Sequence, residues 1–150
     1  MNKSLVMTYH SSFVRKEKGL SMTIKVCLIN ENGASFIDIE NDYKAFEKAL
    51  AWDDFWNCPS IDIAGQRFIA VVSDTGKIRK QPVSAITMLD LVKPKETLRE
   101  PFLVGTIIIT KFDGTDDFAS LSPQDVELIE SRLFTHSKID NYFDTILVLD

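Results

Sequence analysis

Few residues in this 150-residue chain are of the types that make or break bonds. Only His10 and His136 supply imidazole, and only Cys27 and Cys58 supply thiol. Acyl transfer needs an imidazole beside its serine or cysteine nucleophile. Both histidines sit in polar segments without hydrophobic period, and no Gly-x-Ser-x-Gly elbow occurs. The cysteines are too few and too far apart for a zinc site or a disulfide framework. Asp113, Asp116 and Asp117 could hold a hard cation, since Ca²⁺ and Mg²⁺ take carboxylate oxygens, but the EF-hand spacing and its closing glutamate are missing. A solvated acidic turn accounts for them better. The expectation is therefore no catalytic residue, no metal site and no cofactor.

Binding chemistry has more candidates. Lys77, Arg79 and Gln81 follow an Asp74-Thr75-Gly76 turn, and with Lys80 they could hold a phosphate or a nucleic-acid backbone by charge. No glycine-rich phosphate loop accompanies them, and a strand edge guarded by charge would carry the same residues. Gly105 and Thr106 interrupt the most apolar stretch of the chain. A glycine inside a buried strand marks a bulge or a close approach by backbone or ligand. Lys77, Arg79, Gln81, Gly105 and Thr106 make up the candidate ligand site.

Trp52, Phe55 and Trp56 stand at i, i+3 and i+4, so a helix through them would carry an aromatic stripe. Such a stripe packs a core or forms an interface hot spot. Ser120 and Ser122 could offer hydroxyls and helix N–H groups to an anion, although a capping role for Ser122 is sufficient.

The elements that must position these residues are legible in part. Thr23 to Ile29 alternates as a strand, with Ile24, Val26 and Leu28 on one face. Asn32-Gly33 predicts a hairpin turn, and Ala34 to Glu40 the returning strand. Asn41 is a candidate N-cap for a helix from Asp42, with Tyr43, Phe46 and Leu50 on its inner face. Pro59 predicts a break, Ile61 to Ile63 a short strand, and Arg67 to Ser73 a central one. Ile78 to Gln81 is expected to return as a strand, and Pro82 to start a short helix through Leu91. Phe102 to Phe112 is the longest buried strand candidate. Ser122, Pro123 and Asp125 spell a strong helix start, with Val126, Ile129 and Leu133 facing inward. Residues 135–142 look like polar linker, and Phe143 to Leu149 like a last strand. The sum is a single small α+β domain over residues 22–150, with a largely antiparallel or mixed sheet and two to three helices.

Composition sets outer limits. A chain of 150 residues with 45% apolar and 26% charged side chains is ordinary for one soluble domain. No apolar run approaches the roughly 20 residues of a membrane-crossing helix, and a cytoplasmic protein is expected. The net charge of −5 is uneven. Residues 1–21 carry +3, residues 77–99 carry +4 and residues 112–150 carry −7. A field of that kind bears on partners, not on fold.

Nothing before Met22 has a comparable hydrophobic period. Lys18-Gly19 must be encoded by a purine-rich run placed as a bacterial ribosome-binding site would be. The expectation is that translation starts naturally at Met22, the alternative being a flexible basic arm over residues 1–21.

Three stretches, Met22 to Asn30, Ile69 to Ala85 and Phe102 to Ile129, resemble the domain-of-unknown-function family 3846. The likeness spans about Met22 to Phe134. It lies in the order of parts: a strand pair, a helix, a strand ending in an acidic-Gly-Lys turn, a Val-Gly-Thr strand and a Ser-Leu-Ser helix start. The resemblance implies a small cytoplasmic domain of phages, plasmids and other mobile elements, with no established activity. The family's usual Asn and Arg after the proline are replaced here by Val83 and Ser84, so a site built on them would be missing. The resulting expectation is a non-enzymatic binding module that engages a host protein or a small ligand. The alternative is an acidic mimic of nucleic acid that inhibits a DNA-binding host enzyme. Direct nucleic-acid binding ranks below both.

Overall fold

The computed structural model describes residues 22–51, 56–115 and 117–150. Among them the chain forms eleven strands in two sheets and three helices, an α+β arrangement. No helix among the described residues is long and apolar enough to cross a membrane.

The larger sheet is antiparallel. Strand β1 (Thr23–Asn30) lies between β2 (Gly33–Glu40) and β8 (Ile107–Phe112), and β8 lies between β1 and β5 (Gln66–Ser73). On the far side of β5 run β3 (Trp56–Asn57) and β4 (Ser60–Ile63). Trp56 pairs with Ser73 and Ser60 with Ile69, so β3 and β4 keep one register along β5. Pro59 interrupts that ladder because it has no N–H, yet its carbonyl still accepts from the Ala70 N–H at 3.0 Å. The predicted break is therefore a missing donor inside one continuous hairpin arm. A short strand β9 (Phe118–Ala119) folds back on β8.

Alternation along these strands supplies two apolar faces. Ile24 and Val26 of β1, Ile69 and Val71 of β5 and Ile108 of β8 face helix α1 (Tyr43–Leu50), which buries Phe46 and Leu50 against them. Cys27, Ile29, Phe68, Ala70, Ile107 and Ile109 face the other way. There they meet the smaller mixed sheet, ordered β10 (Leu133–Thr135), β11 (Tyr142–Leu149), β6 (Val83–Thr87) and β7 (Leu103–Val104). Ala85, Leu147 and Leu149 close that core. Each fully buried aliphatic side chain contributes about 1.5–3 kcal/mol relative to exposure. Helix α3 (Pro123–Glu130) adds Ile129 to the same cluster.

Several elements differ from expectation, each for a local reason. The helix after β2 is capped by Asp42, whose carboxylate accepts from the Ala45 N–H at 2.7 Å. Asn41 is instead buried and donates its amide to the Phe118 carbonyl at 3.1 Å. In the first hairpin the loop residues are Glu31 and Asn32, and the positive φ of 114° falls on Gly33. Residues 78–81 do not return as a strand, and Pro82 starts no helix. β-branched Val83, Ile86 and Thr87 join the small sheet, and Thr87 then caps helix α2 (Met88–Val92). Leu133 follows the last helix as the start of β10 rather than extending it, and β10 takes in Thr135, expected to open a polar linker.

The largest difference concerns Phe102 to Phe112. It is two strands in two sheets: β7 pairs with β6, and β8 pairs with β1 and β5. The crossing is at Gly105, with φ of 73°, whose N–H donates to the Pro82 carbonyl at 2.7 Å.

Candidate functional site

The end of β5 and the chain leading into β7 enclose a cleft of about 260 Å³. Its polar lining comes from Asn57, Ser73, Asp74, Lys77 and Glu100, and its apolar floor from residues 101–104 together with Val72 and Pro59.

One wall is a single tight coil over Thr75 to Arg79. The Arg79 N–H donates to the Thr75 carbonyl at 3.0 Å. The Gln81 N–H then reaches back to Gly76 at 3.1 Å and the Lys80 N–H to Lys77 at 3.1 Å, with Lys80 at φ 55°. That bond pair with a left-handed residue is a Schellman closure, in which glycine is usual and lysine stands here. Gly76 lets the coil press against β7, since a Cβ there would come within 2.9 Å of Val104 Cγ2.

The opposite wall is Glu100, Pro101 and Phe102, with a cis bond between Glu100 and Pro101. Lys77 spans the two walls. Its Nζ donates to both Glu100 oxygens, at 2.7 and 2.9 Å, and lies 3.8 Å from the centroid of the Phe102 ring. The pair is open to water, so its net worth is about 0–1 kcal/mol, with a similar cation–π increment. At the mouth, the Asn57 amide donates to Asp74 at 3.4 Å.

The candidate ligand residues are only partly gathered here. Lys77 lines the cleft. Gln81 lies behind it and packs on Gly105, where a Cβ would sit 3.4 Å from Gln81 Cβ. Gly105 and half-buried Thr106 form the crossing between sheets rather than a wall of the cleft. Arg79 is an exposed part of the coil, on the same coil as Lys77 but outside the lining. Asn57, Asp74, Glu100 and Phe102 were not singled out from sequence. Their only signal was proximity to turns and prolines, which does not say what faces what.

Trp56 is 3% exposed, stacked on Tyr43 at 4.8 Å and packed beside Phe46. It belongs to the core under α1 and offers no interface surface. Trp52 and Phe55 lie outside the described residues, as do residues 1–21 and Asp116. The Ser122 hydroxyl is used as a cap, accepting from the Asp125 N–H at 3.1 Å, and Ser120 accepts from the Lys25 N–H at 2.9 Å. Both therefore have structural partners. Within the basic segment, Lys77 pairs with Glu100 and Arg99 with Asp90.

The cleft offers fixed donors and acceptors of both signs around an apolar floor. That is chemistry for holding a small polar group or a protein side chain. No family model, curated protein or solved structure matches the chain. Among the described residues no group of three or more His, Cys, Asp or Glu is placed to hold a metal ion.

Proposed function

We propose that the protein is a small non-enzymatic binding module of phage or mobile-element origin, and that it engages a host protein or small ligand through the Lys77–Glu100 cleft. The origin rests on the resemblance of residues 22–134 described above. The observation that carries the binding reading is the cleft, where Asn57, Asp74, Lys77 and Glu100 surround an apolar floor. A bound group would exchange water for these pre-placed partners at little ordering cost.

The test is capture from lysate of a bacterial host, read by proteomics and by native mass spectrometry of the purified chain. The discriminating variants are Asn57→Lys and Lys77→Glu, both in the lining of the cleft. Capture of one protein or small molecule that disappears with either variant, while unfolding stays cooperative, is the expected outcome. Capture indifferent to both variants, or none at all, rejects the reading. The acidic-mimic alternative has less support, because the −7 charge of residues 112–150 is met by an outside cation at Asp125, which Lys111 pairs with at 2.6 Å. The Ser122 N–H also donates to Asp125, which fixes that carboxylate at the helix start.

A further inference from the structure

Seven large apolar side chains are exposed among the described residues, and five of them belong to α2 and the β10–β11 hairpin, the two elements that flank one hollow. Met88, Leu89 and Val92 are on α2, while Phe134 and Ile139 are on the β10–β11 hairpin. Between the two elements is a hollow of about 250 Å³, walled by Ile86, Leu91, Pro94 and Ile146 and, on the hairpin side, by Phe134 and Ile139. Its one carboxylate, Asp90, is neutralised by Arg99 at 2.9 Å. The hairpin wall of that hollow also stands well into solvent, with Phe134 42% and Ile139 51% exposed.

The flanks differ in sign. Pro94, on the α2 side, sits between exposed Lys93 and Lys95, with exposed Glu96 as the acid beside them. On the hairpin side are exposed Asp140 and Asp144, with Lys138 as the single cation. The hairpin is held in shape from within: the His136 ring nitrogens lie 2.8 Å from the Phe143 carbonyl and 2.5 Å from the Ser137 carbonyl. Tyr142 stands edge-on to that ring at 6.1 Å. A rigid projection loses little entropy when it docks.

An isologous interface requires a patch complementary to itself. A hollow with one half-exposed apolar wall, a net basic flank on one side and a net acidic flank on the other, meets that requirement. We propose that the chain forms a two-fold homodimer through this region. Phe134 and Ile139 of each copy enter the hollow beside α2 of the other, and Lys93 and Lys95 face Asp140 and Asp144 across the axis. This surface is separate from the Lys77–Glu100 cleft, which a dimer so formed leaves to its own ligand.

The test is sedimentation of the full chain over a concentration series, with hydrogen exchange at residues 88–92 and 133–139. The expected species has twice the 17.0 kDa chain mass, with protection of both segments that grows with concentration. Phe134→Asp should weaken association by tenfold or more, on the order expected of a buried aromatic anchor. Lys93→Glu with Lys95→Glu should also weaken it, and adding Asp140→Lys with Asp144→Lys should restore it. A dimer indifferent to these changes overturns the proposal. So does a monomer at all concentrations. A monomer with constant protection would assign the region to residues 1–21, and one that exchanges freely would leave it to another protein.

Discussion

Asp150 turns its carboxylate onto the Ala64-Gly65 turn, accepting from the two N–H groups at 3.0 and 2.6 Å and from Arg132 at 2.9 Å. The Gly65 N–H foremost, with Ala64 and Arg132, holds this carboxyl below the ordinary range despite its partial burial. Burial alone would raise the Asp90 carboxyl, but the Arg99 N–H, the Thr87 hydroxyl and the Arg99 guanidinium together lower it. Asp125 follows the same pattern through Lys111 and Ser122. All three carboxyls are depressed in the folded state, so their stabilisation is complete above the unfolded value of about 4 and is lost as pH falls through their folded values. Acid titration of unfolding should therefore show stability falling below about pH 4, and Asp90→Asn should flatten that fall. Asp90→Ala should cost about 3 kcal/mol, the low end for a broken buried pair, because Arg99 can turn to water. Burial pushes the Cys27 and Cys58 thiols up to about 12. The unfolded chain ionises them from about pH 8.5, so stability should fall as pH rises beyond that, and less steeply in a Cys27→Ala, Cys58→Ala protein.

At the scale of elements, the coil over residues 75–81 is the most informative piece. Lys80 adopts φ 55° where glycine carries no Cβ penalty, so Lys80→Gly should raise stability by about 0.5–1 kcal/mol in chemical denaturation. Gly76→Ala should do the reverse, because its Cβ would meet Val104 at 2.9 Å. Local chemistry of this kind decides how much a sequence discloses. The Ser122–Asp125 helix start was legible because a capping box and N1 proline act within one turn. The strand β1 was legible because its apolar residues alternate, and β5 because a run apolar on both faces marks a central strand. Residues 78–81 were not, since Ile78 suggests a strand but is 82% exposed on the coil. Phe102 to Phe112 is apolar throughout and carries no mark of which sheet each half joins. Asn57 and Glu100 were invisible for the same reason, as only tertiary pairing brings them to Lys77.

The two sheets share one core, with Ile107 and Ile109 of the large sheet packed in the same cluster as Leu147 and Leu149 of the small one. Neither sheet can keep that face buried alone, so unfolding should be a single cooperative transition. Tryptophan fluorescence and far-ultraviolet circular dichroism should give the same midpoint, and separated midpoints would show the sheets melting independently. The crossing at Gly105 adds a further consequence. The coil bearing Lys77 joins β5 of the large sheet to β6 of the small one, and Glu100 and Phe102 lead into β7 beside β6. The cleft thus lies where the chain ties the two sheets together, and whatever fills it holds both. A ligand at 100 times its dissociation constant would add about 2.7 kcal/mol to the stability of the whole fold. The melting temperature becomes a label-free detector, so the unknown partner can be sought by heat before anything is known of its chemistry.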